Sequence, residues 1–258
     1  MGASVHFHSL DGWRGLVADE LWRREFDDLD GWLRDHPGTA VVTHASRQVR
    51  RVETPHGVVY LKYIRALTDA GLTGREWFSW AKWVFRPSRA LATWRISQAL
   101  LDAAFDCPVP VLAARRRLRG YPHDLFVARE VPLPNLWDKP GDAPALAHLL
   151  AAETARFHAA GFAHGDYILR NLCLAPTTGH LVFLDNDRTW RPPLLRGHYQ
   201  KRNLAQMTYS LLRRFEDAAI PREFLDEYRQ QTGKITGEEV ARILRGAEKR
   251  LANRARKI

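Results

Sequence analysis

The proline-bracketed passage Glu130-Val131-Pro132-Leu133-Pro134 divides this sequence into two parts with different hydrophobic patterns. Before it, short apolar runs rich in β-branched and aromatic residues are separated by turn residues, a pattern typical of strands. After it, apolar residues recur mainly at three- and four-residue spacing, which indicates helices. We therefore predict an α+β fold in which a hinge joins an N-terminal antiparallel-sheet lobe to a mainly helical C-terminal lobe.

The element boundaries follow from the same patterns. An amphipathic helix is predicted over about 18–35, ended by Pro37-Gly38, so residues 1–38 are expected to be a helical extension. Residues 39–134 form the predicted N-terminal lobe and 135–258 the C-terminal lobe. The predicted strands are 39–43, 48–52, 58–64, 111–115, 124–131 and 180–184. The other predicted helices are 73–84, 88–104, 144–160, 201–215, 221–232 and 237–255.

Composition narrows the class of protein without naming a function. Hydrophobic residues make up 45% of the chain and charged residues 26%, which is typical of a globular protein with a real core. The 39 Lys and Arg against 29 Asp and Glu give a net charge of +10. That charge suits an anionic partner, whether a nucleotide, a phosphorylated sugar, nucleic acid or an acidic membrane surface. Nucleic acid is not expected, because no recognised binding motif supports it.

The cysteine content and the N-terminus indicate a reducing compartment. Cys107 and Cys173 are the two cysteines, and neither has metal-ligand spacing. Met1 to Leu10 has neither a basic flank nor an apolar core, so no signal peptide is predicted. No apolar run approaches the length of a membrane-spanning helix. We expect a cytoplasmic protein and leave open whether it attaches to the cytoplasmic face of the inner membrane. No sequence pattern sets an oligomeric state.

The strongest chemical signal is the stretch His164-Gly165-Asp166-Tyr167-Ile168-Leu169-Arg170-Asn171, followed by Phe183-Leu184-Asp185-Asn186-Asp187-Arg188. An aspartate, an asparagine five residues later and a carboxylate closing an apolar strand are what magnesium-assisted phosphoryl transfer needs. Asp166 would orient a hydroxyl nucleophile, while Asn171 and Asp185 would hold the metal. A calcium loop does not fit, because the required glycine and terminal glutamate are absent. His164 is interpreted as a packed histidine that shapes the loop.

Two features of the N-terminal part allow both a functional and a structural interpretation. Lys62 lies near the end of an apolar strand, where it either reaches a nucleotide phosphate or points outward from an alternating strand. Tryptophans interleave with basic residues over 65–90. They would either meet a membrane interface or a sugar, or pack as an insertion.

The motif segments resemble the bacterial lipopolysaccharide kinase family, which comprises Kdo and heptose kinases of the WaaP type. The segment from Phe157 through Asp166 to Asn171 and the segment 184–188 carry most of the resemblance, which spans about residues 40–215. Further similarity lies in Tyr60-Leu61-Lys62-Tyr63, Arg86-Pro87-Ser88-Arg89-Ala90, Pro108-Val109-Pro110 and Lys201-Arg202-Asn203-Leu204. The resemblance implies a bilobal protein-kinase-like fold and transfer of the ATP γ-phosphate to a sugar hydroxyl of the lipopolysaccharide inner core.

By the same resemblance, Lys62 takes the phosphate-binding role. Glu130, in the predicted hinge, is the second candidate for binding the nucleotide. Asp166 is the base, and Asn171 and Asp185 are the ligands of Mg²⁺. The expected partners are ATP and an anionic glycolipid or sugar acceptor.

The sequence departs from the family pattern at three places. His44-Ala45-Ser46-Arg47 stands where a glycine-rich loop is expected, and Ala92-Thr93-Trp94 supplies no acidic partner for Lys62, leaving Glu76 as the nearest earlier acid. Asn203 stands where the family often has aspartate. These departures leave two alternatives open. One is a pseudokinase that binds nucleotide in a regulatory role, and the other is a kinase of the same fold that acts on protein or on a small molecule such as an aminoglycoside.

Overall fold

The computed structural model describes residues 4–44, 46–65, 87–118, 120–194 and 196–256. The helix predicted over 73–84, most of the tryptophan-rich basic segment and Glu76 lie outside these residues. The chain forms two compact units. The first unit comprises Met1–Asp102 and Pro108–Val131, and the second comprises Ala103–Cys107 and Pro132–Ile258.

The first unit is built on a seven-stranded antiparallel sheet. Its strands are β1 (Val5–His8), β2 (Arg14–Val17), β3 (Thr39–His44), β4 (Arg47–Thr54), β5 (Gly57–Arg65), β6 (Pro110–Leu118) and β7 (Tyr121–Arg129). Their order in the sheet is β1-β2-β6-β7-β5-β4-β3. All five strands predicted in this part of the sequence are present, and the strand that carries Lys62 lies inside the sheet.

The strands β1 and β2 extend the sheet in residues that precede the predicted helix and for which no strand had been predicted. They pair from Val5↔Val17 to His8↔Arg14, and β2 then pairs with β6. Gly15 permits this second pairing, because a Cβ at this position would lie 1.9 Å from the carbonyl oxygen of Ala113. The Asp11-Gly12 pair between the strands, with a positive φ at Gly12, is the turn signal that marks the connection.

The prediction of a single helix over 18–35 was wrong in its number of helices, because the structure has two short helices there. They are α1 (Glu20–Glu25) and α2 (Leu29–Asp35). Asp19 accepts a hydrogen bond from the Trp22 N–H and caps α1, and Asp28 accepts one from the Gly31 N–H and caps α2. Two capping aspartates nine residues apart start two helices, although the apolar spacing continues across the break.

The core of the first unit joins these helices to the sheet. Trp22, Phe26 and Leu29 are buried together with Leu61 of β5 and Val127 of β7. The remaining described helix of this unit, α3 (Arg89–Asp102), packs Trp94 against Ala113 of β6. Lys62 is thus flanked on its own strand by Leu61, whose side chain is held in the core.

The second unit is mainly helical. Its helices are α4 (Ala143–Ala159), α5 (Arg196–Phe215), α6 (Ala219–Thr232) and α7 (Gly237–Ala255), and its strands β8 (Leu172–Leu174) and β9 (Leu181–Phe183) form a short antiparallel ladder. The bounds of α7 match the prediction, because Thr236 and Glu239 form a reciprocal capping box at its start. No helix of the described residues is long and apolar enough to cross a membrane.

An aromatic cluster forms the core beneath this ladder. Phe157 of α4 stacks on Phe183 of β9 with ring centroids 4.5 Å apart, and Tyr167 stacks on Phe157. Phe105 meets Phe157, Phe162 and Phe183 edge-on. Phe105 comes from the five-residue segment 103–107, which belongs to this unit although the chain on both sides belongs to the first. The cluster fixes the ends of the chain segments that carry the predicted catalytic residues.

Candidate active site

The loop 164–171 lies between α4 and β8, and helix α5 holds its main chain in place. Gln206 accepts a hydrogen bond from the Tyr167 N–H and donates one to the Gly165 carbonyl, at 3.3 and 3.1 Å. The hydroxyl of Ser210 accepts from the Leu169 N–H at 3.1 Å. A buried loop must satisfy its main-chain groups, and here polar side chains on one face of α5 do so.

Asn203 forms the start of this polar face and pairs with the main chain of His164. Its Oδ1 accepts from the His164 N–H at 3.0 Å, and its Nδ2 donates to the His164 carbonyl at 2.5 Å. Both residues are 1% exposed. An amide both accepts and donates, so asparagine satisfies both groups, which a carboxylate at this position would not do. The departure at Asn203 noted in the sequence therefore has a structural role.

The ring of His164 links the loop to the end of β9. Its Nδ1 accepts from the Asp166 N–H at 3.1 Å, so the proton must be on Nε2, which donates to the Leu184 carbonyl at 2.9 Å. Burial lowers the pKa of His164 and keeps the ring neutral. The interpretation of His164 as a packed residue that shapes the loop agrees with this geometry, since both nitrogens are used.

Asp166 and Asn171 are joined through the asparagine side chain. Nδ2 of Asn171 donates to the Asp166 carbonyl oxygen at 2.8 Å and to its carboxylate Oδ2 at 3.2 Å. The carbonyl can only accept, so the amide nitrogen must face Asp166 and Oδ1 of Asn171 must face away from it. Within the described part of the chain, neither Oδ1 of Asn171 nor Oδ1 of Asp166 has a hydrogen-bond partner.

Asp185 is placed beside Asn171 by the short ladder. Leu172 of β8 pairs with Phe183 of β9, and the Leu184 N–H donates to the Asn171 carbonyl at 2.8 Å, which extends the ladder by one step. Asp185 follows with φ 51° and ψ 52°, a left-handed conformation that is uncommon for a residue with a side chain. Strained conformations of this kind concentrate at functional sites.

Gly165 lets the loop approach the turn after Asp185. A Cβ at Gly165 would lie 2.1 Å from the Cβ of Arg188 and 2.6 Å from its carbonyl oxygen. Asn186 shapes the same turn from inside, because its Nδ2 donates to the Phe183 carbonyl at 2.7 Å. The structure therefore brings three predicted site residues, Asp166, Asn171 and Asp185, together in the second unit.

The oxygen donors of Asn171 and Asp185 fit magnesium, whose coordination shell the protein supplies only in part. Magnesium is usually held by one or two protein oxygens with substrate phosphates and water completing the shell. Asn171 Oδ1 and the carboxylate of Asp185 are oxygens of the required kind. Among the residues that the structure describes, no group of three or more His, Cys, Asp or Glu side chains could hold a metal ion.

The two predicted nucleotide contacts, Lys62 and Glu130, lie in the first unit. Lys62 is half-buried on β5, between Val49 of β4 and Phe126 of β7. The carboxylate of Glu130 accepts from Nε and Nη2 of Arg51 at 2.8 and 3.2 Å. Its N–H donates to the Val58 carbonyl. A nucleotide contact by Glu130 would therefore use its main-chain carbonyl oxygen.

A cavity of about 210 Å³ opens beside Asp166 in the second unit. It had not been predicted, and its lining is dominated by arginines and aromatic residues. The residues that contribute to it include Trp137, Asp166, Arg170, Arg213, Arg250 and Arg254. Arg250 and Arg254 come from the last turns of α7. Gln206 and Ser210 were also missed, although their spacing from Asn203 on a predicted helix places all three on one face.

No family model matches the sequence, and no curated protein does. The solved structure of WaaP in complex with acyl carrier protein superimposes with a TM-score of 0.62, covering 90% of this chain and 98% of that chain at 18% identity. This chain has the fold of WaaP. The resemblance to the lipopolysaccharide kinases is thereby confirmed for the fold, as is the predicted α+β, protein-kinase-like architecture with a sheet unit and a helical unit.

The WaaP-like fold gives a structural context for the loop. In protein-kinase-like folds the catalytic loop and the metal-binding turn follow each other in the helical lobe. The segments 164–171 and 184–188 have that order here, separated by the β8–β9 ladder. At 18% identity the likeness to WaaP concerns the fold, and the chemistry must be argued from the residues themselves.

Proposed function

We propose that this protein is a Mg²⁺-dependent kinase that transfers the γ-phosphate of ATP to a sugar hydroxyl of the lipopolysaccharide inner core, Kdo or heptose, or of a related cell-envelope glycan. The observation that carries the proposal is the geometry of Asn171. Its side-chain nitrogen donates hydrogen bonds to Asp166. This leaves Oδ1 as an oxygen ligand for a metal ion on the loop next to Asp185.

Each residue of this group has a role that its contacts support. The carboxylate of Asp166 receives one hydrogen bond on Oδ2, so Oδ1 is able to accept one from the acceptor hydroxyl and orient it for attack. Asn171 and Asp185 would hold Mg²⁺, which when bound neutralises charge on the transferred phosphoryl group. His164 acts through the others, because it positions Asp166 by its N–H and Asp185 through Leu184.

The acceptor and the nucleotide complete the proposal. Lys62 contacts ATP phosphates, as the family resemblance implies, and Glu130 of the predicted hinge is the second residue that binds the nucleotide. The acceptor is lipid-linked and anionic, in keeping with the net charge of +10, and brings the protein to the cytoplasmic face of the inner membrane.

The proposal is tested by measuring ATP consumption with Mg²⁺ by the purified protein, with and without lipopolysaccharide core acceptors. Asp166→Ala should lower acceptor-dependent turnover by about 10²- to 10⁴-fold, the usual contribution of a positioned base. The matched control is Glu248→Gln, which removes an exposed carboxylate on α7 and should leave turnover unchanged. Equal ATP consumption by wild type and Asp166→Ala would refute the assignment.

One observation favours the second candidate, a nucleotide-binding regulatory module without transfer activity. The register pairs His44 at the end of β3 with Arg47 at the start of β4, so only two residues of the sequence separate these strands where a phosphate-cradling loop is expected. A rise in melting temperature with ATP and Mg²⁺, without phosphorylation of any core acceptor, would support this module. Phosphorylation of a protein or an aminoglycoside instead of a core acceptor would support a kinase of the same fold with a different substrate.

A further inference from the structure

The arginines around the cavity beside Asp166 come from three different parts of the second unit. Arg170 lies on the predicted catalytic loop, Arg213 near the end of α5, and Arg250 and Arg254 in the last turns of α7. Asp166 is the single carboxylate among the residues that line the cavity. Four positive charges that converge on one space repel each other unless an anion is present to offset them.

Aromatic rings hold three of these arginines in place. The guanidinium of Arg170 lies 4.8 Å from the ring centroid of Trp137, and that of Arg213 lies 5.0 Å from it. Arg250 is held in the same way over Tyr209, at 4.3 Å. A ring attracts a guanidinium without neutralising its charge, and the N–H donors at the edge of the guanidinium stay available for a ligand.

The main chain of Trp137 is itself fixed from outside the cavity. Its main-chain N–H donates to Oδ1 of Asn135 at 3.0 Å, and its main-chain carbonyl accepts from Nε of Arg214 at 2.7 Å. Arg170 and Arg213 therefore share an aromatic support whose main chain is bonded on both sides. This preorganisation lowers the entropic cost of binding, since the charged groups are already in place.

Ordinary surface charge does not account for the arrangement. A basic residue in the last turn of a helix complements the helix dipole, and this describes Arg213 and Arg254 taken singly. It does not explain why they line one cavity with Arg170 and Arg250. Nor does any of the four form an ion pair with a carboxylate in the described ranges of the chain, whereas exposed Arg242 on the same helix is paired with Glu238.

We infer that this cavity binds an anionic group of the acceptor, a phosphate or a carboxylate, and so places the neighbouring hydroxyl against Asp166. The inference rests on the proposed function in taking Asp166 as the residue that faces the acceptor. It goes further in making an anionic substituent on the acceptor a requirement for recognition. Arginine forks match the oxygens of both groups bidentately, so both are admitted by the same chemistry.

Binding is measured first, with the nucleotide site filled by a non-hydrolysable ATP analogue and Mg²⁺. The probes are inorganic phosphate, glucose 6-phosphate and glucuronate, with uncharged glucose as the reference, and the readout is isothermal titration calorimetry. The anionic probes should bind the wild type and glucose should not. Tighter binding of the phosphate probes or of glucuronate identifies which anion the acceptor carries.

Three variants make the test specific. The double variant Arg170→Gln, Arg213→Gln should weaken anion binding by about tenfold or more, because charge-assisted hydrogen bonds are lost. Arg213→Lys keeps the charge but loses the fork of N–H donors, so its anion affinity should lie between that of the wild type and that of the double variant. Arg245→Gln, an exposed arginine of α7 outside the cavity lining, should bind as the wild type does. Circular dichroism checks that each variant is folded.

The outcomes separate this inference from the proposed function. Equal binding of glucose and glucuronate, or unchanged anion binding by the folded double variant, overturns the inference. An unchanged KM of the double variant for a phosphorylatable core acceptor also overturns it while leaving the kinase proposal intact. Arginine-dependent anion binding without phosphorylation of any acceptor supports the anion site and counts against the kinase proposal.

Discussion

Asn203 of α5 pairs with both main-chain groups of His164, accepting from its N–H at 3.0 Å and donating to its carbonyl at 2.5 Å. The pair is buried, and it connects the longest helix of the second unit to the start of the predicted catalytic loop. The stability of this helical unit and the geometry of its active site therefore depend on the same two hydrogen bonds.

Asn203→Asp is expected to destabilise the protein by about 1–3 kcal/mol, because the His164 carbonyl loses its donor and faces a carboxylate. The measurement is urea unfolding at neutral pH, with Asn253→Asp on the exposed side of α7 as the matched control. Equal midpoints for wild type and Asn203→Asp would show that the donor to the carbonyl is dispensable.

Gly165→Ala is expected to displace the loop from the turn after Asp185, since the added Cβ meets the Cβ and carbonyl of Arg188. Turnover should fall by at least about tenfold, as happens when reacting groups are misplaced. Gly246→Ala is the control, because in α7 no described atom lies within 4 Å of the added Cβ. That variant should keep full turnover and gain up to about 1 kcal/mol of stability. Wild-type kinetics in Gly165→Ala would contradict the close-approach argument.

Asn171→Ala is expected to raise the Mg²⁺ concentration for half-maximal turnover by about tenfold or more, because it removes an oxygen ligand and the donor to Asp166. The measurement is a Mg²⁺ titration at saturating ATP. Asn253→Ala serves as the control, and its titration curve should overlay the wild-type curve. A Mg²⁺ requirement unaffected by Asn171→Ala would remove this residue from the metal site.

Stability is expected to fall as the pH is lowered, because His158 is buried and its pKa is lowered from 6.5 to about 4. Above pH 6.5 the ring is neutral in both folded and unfolded chains, and its contribution to stability is complete. Between pH 6.5 and 4 the unfolded chain binds a proton that the folded chain does not. Each pH unit of acidification in this range therefore lowers the free energy of unfolding by about 1.4 kcal/mol.

The free energy of unfolding in urea, measured at pH 7, 6 and 5, checks this dependence. His158→Gln should flatten the slope, whereas exposed His198→Gln should keep it. Burial lowers the pKa of His164 as well, so part of the slope should remain in the His158 variant. Identical slopes in wild type and His158→Gln would contradict the contribution assigned to this ring.

Local features of the site could be predicted from the sequence, and features assembled across the chain could not. Asp166 and Asn171 share one loop, and a short hairpin leads to Asp185. Their order and spacing in the sequence were therefore sufficient to predict that these three residues lie in neighbouring segments. The four arginines of the cavity lie up to 84 positions apart, between Arg170 and Arg254, and three of them, Arg213, Arg250 and Arg254, lie outside the motif segments.

The N-terminal elements show a second kind of limit. The apolar spacing from Leu21 to Leu33 is that of one helix, but the capping aspartates Asp19 and Asp28 divide it into two. Strands β1 and β2 are each four residues long, too short for their alternation to be distinguished from a loop without the partner strand β6. In both cases a hydrogen-bonding partner decided what periodicity alone did not.

The segment 103–107 bears on how this protein can be synthesised and dissected. Phe105 leaves the ribosome before any of Phe157, Phe162 and Phe183 has been made, yet its ring packs against all three. The helical unit therefore cannot complete its core during translation until the chain has passed Phe183. Nor can it be obtained whole by truncation, since a fragment that begins at Pro132 lacks the ring that closes its aromatic cluster.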